Sequence, residues 1–397
     1  MHYDLIIIGG GLVGRSLACA LSQAPLKIAL IDANEQNLPD PRLIALNYGS
    51  VHFLEKLGLW PCLAPLSTPI HEVHVSHRGR FGATRLSAQT AHLPTLGSVL
   101  RASDINQALD ETLSQARNPG QFTEWRPARV TTLTLHEKKS TLTLEYQGVE
   151  SRLTGNLIIA ADGSHSTIRR LLSFDTHTVD YQQSALVTTT RLGRPHENRA
   201  YERFLDEGAL AMLPLKDKET QDRLCATIWT AGTPAIAALQ SLEEPAFLQA
   251  LQTQFGYRLG RLTGINRRAV FPLQLIQVKN PLQGNVLLIG NAAHTIHPIA
   301  AQGLNLALYE IAHLSQLLLR NLREQEPLGA GLAENLSRFQ PKMNLLFSHY
   351  LSQIFAAGFW GSNFARQLGM VGLDLCPPIK KKLGRRMAME SIQWLTS

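Results

Sequence analysis

Three glycines near the start of the chain have the spacing of a phosphate-binding turn. Gly9, Gly11 and Gly14 follow the apolar run YDLIII, and a helix of small residues is predicted over 12–21. Glycine at these positions gives a tight turn, lets the backbone approach a pyrophosphate and lets the helix pack closely on the strand. Asp32 ends the next apolar run, where its carboxylate can accept hydrogen bonds from ribose hydroxyls. This unit predicts a nucleotide site; a glycine-rich turn of some other α/β protein is the alternative.

Two later apolar segments end on similar turns. NLIIAADG ends at Asp162 and Gly163, and NVLLIG ends at Gly290, ahead of Asn291. A nicotinamide dehydrogenase needs no third turn that returns to the nucleotide. A flavin does, because its ribityl chain and ring extend well beyond the pyrophosphate. The three turns together therefore favour FAD over NAD(P) as the resident cofactor. Asn291 stands where an acid is more usual, and its amide can bond a ribityl hydroxyl or a phosphate without adding negative charge.

The segment after the third turn begins a helix that is predicted to run from 302 to about 320. Gln302, Gly303 and Asn305 lie in its first turn. The unpaired N–H groups and the positive end of the helix dipole would stabilise negative charge on a reduced flavin ring. Gly303 would permit a close approach. A helix start with a glycine for packing is the alternative.

Two histidines, His294 and His297, lie between the third turn and this helix. Their spacing of three invites a metal site, but they lie on a turn and a loop with no acid or cysteine nearby, so we expect no metal. Histidines hydrogen-bonded within a loop are the simplest interpretation. A place beside the substrate, with a role in deprotonating a phenol, is the alternative. Pro298 of the same loop would cross the flavin face.

Composition excludes several classes of protein. The chain has 397 residues, 44% of them apolar, which is typical of a packed protein with two domains or one large domain. Its four cysteines lie far apart in the sequence. This spacing argues against a disulfide framework and against a zinc site, and it favours a reducing compartment. No stretch reaches the roughly 18 unbroken apolar residues of a membrane span. The apolar start has Asp4 where a signal peptide has positive charge. We expect a cytoplasmic protein.

The residue pattern also predicts how these motifs are positioned. The middle of the chain has the threonine-rich alternation of an antiparallel sheet, unlike the buried parallel strands before it, and NVLLIG then returns to the nucleotide-binding part. We therefore predict a FAD-binding domain formed by 1–70, 96–175 and 280–397, the last with C-terminal helices. The substrate domain would be formed by 71–95 and 176–279.

In this order the motifs resemble those of the flavin-dependent aromatic hydroxylases of the para-hydroxybenzoate hydroxylase type. Within that family the chain is most similar to the ubiquinone-biosynthesis branch, in particular the 2-octaprenyl-6-methoxyphenol hydroxylases. The resemblance covers essentially the whole chain and is carried by PRLIALNYGSVHFLEKLGLW, VHVSHRGRFG, AADGSHS, ERFLDEGALAMLPL and GNAAHTIHPIAAQGLNLAL. It implies an α/β fold, in which a Rossmann-like FAD-binding domain carries an inserted antiparallel-sheet substrate domain.

The resemblance also implies a set of cofactor-binding residues. Arg42 would reach the diphosphate, Arg101 would touch FAD, and Asp162 would lie beside FAD or incoming NAD(P)H. The full set is Gly9, Gly11, Gly14, Asp32, Arg42, Arg101, Asp162, Gly163, Gly290, Asn291, Gln302, Gly303 and Asn305. Two positions depart from the family pattern, since His294 replaces a common glutamine and Ala301 a usual glycine. Both would adjust the shape of the site near the ring.

The activity that the resemblance implies is hydroxylation of 2-polyprenyl-6-methoxyphenol to the 1,4-benzoquinol, with NAD(P)H and dioxygen as co-substrates. A sister hydroxylase acting on another ring carbon, a flavin-dependent reductase of an isoprenoid and a scaffold protein of the same assembly are the alternatives. The expected partners are the polyprenyl phenol and other ubiquinone-biosynthesis proteins in a complex, without nucleic acid. A basic C-terminal cluster is the candidate surface for peripheral contact with the inner membrane or with a partner protein; it contains Lys380, Lys381, Lys382, Arg385 and Arg386.

Overall fold

The computed structural model describes residues 1–35, 40, 42–79, 83–115, 121–217, 221–295 and 302–339. Its strands are β1 (His2–Ile8), β2 (Ile28–Ile31), β3 (Leu43–Asn47), β4 (Thr68–Ile70), β5 (Glu72–His77), β6 (Ala83–Ser87), β7 (Gly97–Arg101), β8 (Phe122–Trp125), β9 (Ala128–Thr134), β10 (Ser140–Tyr146), β11 (Val149–Ala160), β12 (Thr176–Leu192), β13 (Arg199–Phe204), β14 (Ala209–Asp217), β15 (Gln221–Gly232), β16 (Leu262–Ile265), β17 (Ala269–Val278), β18 (Leu282–Gln283), β19 (Val286–Leu288) and β20 (His294–Thr295). Its helices are α1 (Leu12–Leu21), α2 (Tyr48–Lys56), α3 (Trp60–Leu63), α4 (Ala88–Ala91), α5 (Ala102–Gln115), α6 (Thr167–Leu171), α7 (Thr233–Ser241), α8 (Glu244–Phe255), α9 (Gln302–Arg323) and α10 (Leu332–Phe339).

An eight-stranded sheet contains the three apolar segments that end on glycine turns. Its order is β18-β19-β11-β1-β2-β8, and β10 and β9 extend it from β11 as antiparallel neighbours. The strands β19, β11, β1, β2 and β8 are mutually parallel. Both faces of β1 are buried: Ile7 packs with α1, α5 and α9, and Ile6 packs with the β9–β10 side. Burial on both faces explains the unbroken apolar run in its sequence.

A nine-stranded sheet, built mostly from the middle of the chain, has the order β20-β17-β12-β15-β14-β13-β5-β6, with β16 paired to β12. One face is covered by α7 and α8, where Phe247, Leu251 and Phe255 are buried. The opposite face packs against a three-stranded sheet of order β3-β7-β4, through Ala45 and Val99 among others. The alternation of the threonine-rich strands therefore reflects two differently covered faces.

The predicted α/β class, with a parallel nucleotide-type sheet and a separate largely antiparallel sheet, is confirmed. The segment 71–95 supplies β5 and β6 to the nine-stranded sheet, and 176–279 supplies β12 to β17. The C-terminal part adds β20 to the same sheet, a pairing that the sequence pattern did not indicate. The exact domain limits stay a prediction, and the C-terminal helices expected beyond 339 lie outside the described residues.

Candidate functional site

Four turns meet at one edge of the eight-stranded sheet. Gly9 follows β1, Asp32 follows β2, Asp162 follows β11 and Gly290 follows β19. Because these strands are parallel neighbours, their carboxyl ends lie side by side. In open sheets of this kind, ligands bind outside the carboxyl ends of the strands. The structure therefore brings together the three motifs that are widely separated in the sequence.

The glycines of the first turn have different surroundings. A Cβ atom added to Gly9, whose φ is +109°, would lie 2.4 Å from the Ala161 carbonyl oxygen. At Gly14 it would lie 1.9 Å from the Gly9 carbonyl oxygen, so both positions are closed by protein backbone. At Gly11 the added atom would meet nothing within 4 Å. Gly9 and Gly14 are thus required for packing, and Gly11 leaves space beside the start of α1 for a ligand.

Asp32 is buried beside this turn and is held on both carboxylate oxygens. The backbone N–H of Asn34 donates to Asp32 Oδ1 at 3.1 Å, and the Asn34 side-chain amide donates at 3.2 Å. Arg126 Nη2 lies 3.4 Å from Asp32 Oδ2. A Cβ atom on Gly10 would lie 2.4 Å from the same oxygen, so the carboxylate lies directly against the turn. This is the position expected for a ribose-binding acid.

A line of alternating charges leads from Asp32 into the protein. Arg126 Nη1 lies 3.7 Å from Glu124 Oε1, which is also 3.7 Å from Arg15 Nη2. Arg15 is fully buried in α1 and also pairs with Asp110 of α5. These positioning residues were not predicted from the sequence. The available signal was an arginine, Arg15, in a helix of otherwise small and apolar residues.

Asp162 begins the second turn and keeps one carboxylate oxygen available. Its Oδ2 accepts hydrogen bonds from the backbone N–H groups of Thr167 at 2.7 Å and Ile168 at 3.2 Å. Its Oδ1 is buried, and no donor in the described ranges reaches it. Gly163 follows with φ +80°, and an added Cβ atom there would meet nothing within 4 Å. A buried acceptor beside open backbone fits a ligand hydroxyl or N–H group.

Arg169 joins the second turn to the third. Its Nη1 donates to the Ala292 carbonyl oxygen at 2.9 Å, and its Nη2 donates to the Ser164 carbonyl oxygen. Burial lowers the pKa of Arg169, although its ordinary value is so high that the group stays charged. The guanidinium therefore fixes the distance between the two turns.

The third turn is hydrogen-bonded to a buried acid, Glu310 of α9. Gly290 has φ +55°, and an added Cβ atom would lie 3.1 Å from Val13 Cγ1 of α1. The Gly290 N–H donates to Glu310 Oε2 of α9 at 3.0 Å. His294 Nε2 lies 3.4 Å from Glu310 Oε1. Burial lowers the pKa of His294 to about 4 and raises that of Glu310 well above its ordinary value. His294 is therefore neutral at pH 7, and burial favours the neutral form of Glu310.

The side chains of two predicted residues make contacts within the protein. His294 was considered for a place beside the substrate, but its ring is 3% exposed and packs against Glu310 inside the protein. Asn305 was expected to complete the cofactor site, but its side chain is used elsewhere. Its amide donates to the Ala45 carbonyl oxygen at 2.8 Å, and its Oδ1 accepts from the Asn47 N–H at 2.9 Å. Asn305 therefore ties α9 to β3.

Two further predicted residues, Arg42 and Arg101, lie at one end of the three-stranded sheet. Arg42 directly precedes β3, where Leu43 is paired with Arg101 of β7, so the two arginines are neighbours across a strand pair. Arg42 pairs with Asp40 at 2.6 Å, and this hydrogen bonding raises the pKa of Arg42. Asn291 is partly buried.

The start of α9 is the last part of the predicted site. Gln302 begins the helix, and a Cβ atom on Gly303 would meet nothing within 4 Å. His297 and Pro298 lie outside the described residues, as does the side chain of Gln302. In the described part of the chain, no group of His, Cys, Asp or Glu side chains is arranged to hold a metal ion.

The residues present fit FAD. The space beside Gly11 suits the diphosphate at the positive end of α1, and Asp32 suits the adenosine ribose. The unpaired oxygen of Asp162 suits a hydroxyl or N–H donor farther along the cofactor. The open backbone at Gly303 suits a ring at the start of α9.

Comparison with known proteins defines the class. The family described as FAD binding domain matches residues 2–329, and the chain belongs to this family of FAD-dependent monooxygenases. The sequence is 32% identical to an uncharacterized protein of Synechocystis sp., over 97% of this chain and 93% of that protein. It is 29% identical to the ubiquinone hydroxylase UbiL of Rhodospirillum rubrum, over 98% of this chain and 90% of that protein. It is 26% identical to the 3-demethoxyubiquinol 3-hydroxylase of Escherichia coli, over 96% of each chain.

These relatives confirm the family resemblance drawn from the sequence motifs. A solved structure with the same fold is that of p-nitrophenol 4-monooxygenase PnpA from Pseudomonas putida. The TM-score is 0.78 at 15% identity, and the superposition covers 97% of each chain. At this low identity the likeness concerns the fold, which includes both the parallel and the largely antiparallel sheet.

Proposed function

We propose that this protein hydroxylates a polyprenyl phenol in ubiquinone biosynthesis, using NAD(P)H and dioxygen. The specific reaction that we propose is conversion of 2-polyprenyl-6-methoxyphenol to the 1,4-benzoquinol. The observation that carries the proposal is the meeting of four turns, after β1, β2, β11 and β19, at one sheet edge. The names of the curated relatives from Rhodospirillum and Escherichia support the pathway.

When bound, FAD would supply the redox chemistry, in which NAD(P)H is oxidised and dioxygen is activated. The chain's own part is to bind, orient and exclude water. Gly11 and Asp32 would hold the diphosphate and the ribose, and the first turn of α9 would face the ring. The face of the nine-stranded sheet that is turned toward the three-stranded sheet would receive the phenol and its tail, beside the part where Leu213 and Ala226 are covered by that sheet.

A nearly insoluble polyprenyl substrate implies delivery from a membrane or a partner protein. Among the helices that the structure describes, none is long and apolar enough to cross a bilayer. We propose peripheral association, within a complex of ubiquinone-biosynthesis proteins, through the basic cluster that begins at Lys380. That cluster lies outside the described residues, so the proposal rests on its sequence.

The direct test combines cofactor analysis with oxygen uptake. We expect the purified protein to release one FAD per chain on denaturation. With NAD(P)H and 2-allyl-6-methoxyphenol as a water-soluble probe, it should consume oxygen and give a product heavier by one oxygen atom. Oxidation of NAD(P)H without oxygen insertion would instead support a reductase. Cells that lack the protein should accumulate the 6-methoxyphenol precursor. Accumulation of another precursor would support the sister hydroxylase, an alternative favoured by the 3-hydroxylase relative.

A further inference from the structure

Glu202 is an acid in the middle of β13, on a sheet face that is lined mostly by apolar residues. Glu202 is paired with Val75 in β5 and with Ala211 in β14. Side chains two residues apart on a strand share a face, so Ala200 lies on the same side as Glu202. Ala200 belongs to the apolar cluster on this face, together with Leu213.

The surroundings of Glu202 do not compensate its charge. No residue in the described ranges forms a hydrogen bond or an ion pair with its carboxyl group. Burial raises the pKa of Glu202 to about 7. An acid with such surroundings costs stability, because a desolvated charge without a partner is unfavourable. An unpartnered acid of this kind is a candidate for a functional role, since a ligand can supply the missing donor.

The face that contains Glu202 is connected to the candidate cofactor site. It is covered by the three-stranded sheet, in which Ala45, Ile70 and Val99 belong to the same apolar cluster. The carbonyl oxygen of Ala45 accepts the hydrogen bond from Asn305, in the first turn of α9. The apolar face and the start of α9 therefore converge on β3, where a phenol and a flavin ring would meet.

We propose that Glu202 accepts the hydroxyl proton of the phenol substrate during hydroxylation, an inference that rests on the function proposed above. The O–H bond of the phenol breaks, and its proton moves to a carboxylate oxygen of Glu202. The electron pair stays on the phenol oxygen and makes the ring carbons more nucleophilic, which favours attack on activated oxygen. The protonated carboxyl group later returns the proton to solvent. The same hydrogen bond orients the phenol oxygen toward Glu202, while the tail contacts apolar side chains.

Few other titratable groups in the described part of the chain face Glu202. His77 lies on the same face of β5, and its Nδ1 is 2.8 Å from the Arg78 carbonyl oxygen. Arg199 and Arg203 alternate to the opposite face of β13. On the Glu202 side, β14, β15 and the three-stranded sheet contribute alanine, leucine, isoleucine and valine side chains to the cluster. Because His77 is also an ionisable group on this face, a pH dependence is assigned to Glu202 only where it disappears in Glu202→Gln.

The first experiment measures binding rather than turnover. The FAD-loaded wild type and the Glu202→Gln variant are titrated with 2-allyl-6-methoxyphenol and with its methyl ether, which has no hydroxyl proton to donate. The wild type should prefer the phenol by about tenfold or more at a pH above 8, where Glu202 is ionised, and by less at a pH near 6. In Glu202→Gln this preference should be smaller and independent of pH. An unchanged, pH-dependent preference in the variant would overturn the inference.

The second experiment measures oxygen insertion with the same probe. We expect Glu202→Gln to lower the hydroxylation rate by about 10²-fold or more and to release more hydrogen peroxide per oxygen consumed. The loss of rate toward acid pH, with an apparent pKa near 7 in the wild type, should disappear in this variant. Glu202→Asp should keep that pH dependence at a lower rate. Glu207→Gln, which changes an exposed acid between β13 and β14, is the matched control and should behave as wild type.

The outcomes separate the two proposals. If the wild type shows no phenol-dependent oxygen uptake, the proposed function fails. If the wild type inserts oxygen and Glu202→Gln keeps both the rate and its pH dependence at equal FAD content, the function stands and the role of Glu202 is refuted.

Discussion

Gly11 and Gly14 belong to one motif, but an added methyl group would meet different surroundings at each. Gly11 has φ −80°, which any residue adopts, and its added Cβ atom would meet nothing within 4 Å. We expect Gly11→Ala to change the free energy of unfolding of the apoprotein by less than about 0.5 kcal/mol. The methyl group should nevertheless occupy the diphosphate space, so the purified variant should be mostly free of FAD. Flavin content and urea unfolding measure the two effects separately.

Gly14→Ala is the matched contrast. Its Cβ atom would lie 1.9 Å from the Gly9 carbonyl oxygen, and neither backbone segment can move without disturbing β1 or α1. We expect a loss of roughly 2 kcal/mol or more in unfolding free energy, as for an overpacked core. Full flavin occupancy in Gly11→Ala would contradict the assignment of the open space to the diphosphate.

Helices and strands whose sequence patterns lie within one short segment could be predicted from the sequence. Helix α1 runs over Leu12–Leu21 as predicted, because glycines precede it and small apolar residues fill it. The predicted third apolar strand is β19, and α9 begins at the predicted Gln302. The glycine turns and Asp32 were also visible, since their chemistry depends on spacing within a short segment.

The remaining features depend on contacts between distant segments. The two residues of β20 form a strand through pairing with β17, which no local pattern indicates. The side-chain contacts of His294 and Asn305 could not be predicted, because their partners, Glu310 and Ala45, lie in other elements. Glu310 itself was missed. Its signal was a single acid in a helix whose neighbouring positions are mostly apolar.

Glu310 joins α9, β20 and the third turn, and its protonation should affect how these elements hold together. Its pKa is raised by burial above the ordinary 4.5, so the folded protein keeps a proton that the unfolded chain loses. Stability contributed by this group is therefore lost as the pH rises above about 4.5 through the folded-state pKa. Glu310→Gln keeps an oxygen for the Gly290 N–H and removes the titration. We expect the Tm of the variant, relative to wild type, to increase between about pH 5 and pH 8.

His294, which lies 3.4 Å from Glu310 and is present in both proteins, has the opposite effect. Its folded-state pKa of about 4 lies below the ordinary 6.5, so it removes stability as the pH falls through that interval. Glu324→Gln, at a 59% exposed position directly after α9, is the control and should show no such trend. If the wild type instead gains stability over Glu310→Gln as the pH rises, the two side chains form a charged pair.

At the scale of the whole molecule, the third turn connects the two large sheets. β19 ends in the parallel sheet, and within a few residues β20 pairs with β17 of the nine-stranded sheet. The Val278 N–H of β17 donates to the Ala293 carbonyl oxygen at 2.9 Å, directly after the turn. A ligand that binds at Gly290 and Asn291 is therefore in contact with a segment shared by both sheets. Ligand binding to the native state also lowers the population of opened states.

We therefore expect FAD to slow amide hydrogen exchange in both sheets. When FAD is added to apoprotein, exchange should slow over 9–14 and also over β17, because opening of β17 breaks the bond at Val278 and disturbs the third turn. Exchange in α8, on the outer face of the nine-stranded sheet, should change little. Gly11→Ala with the same added FAD is the control, since no protection should develop where the cofactor does not bind. Protection limited to the eight-stranded sheet would mean that the two sheets open independently, and that the substrate face is not organised by the cofactor.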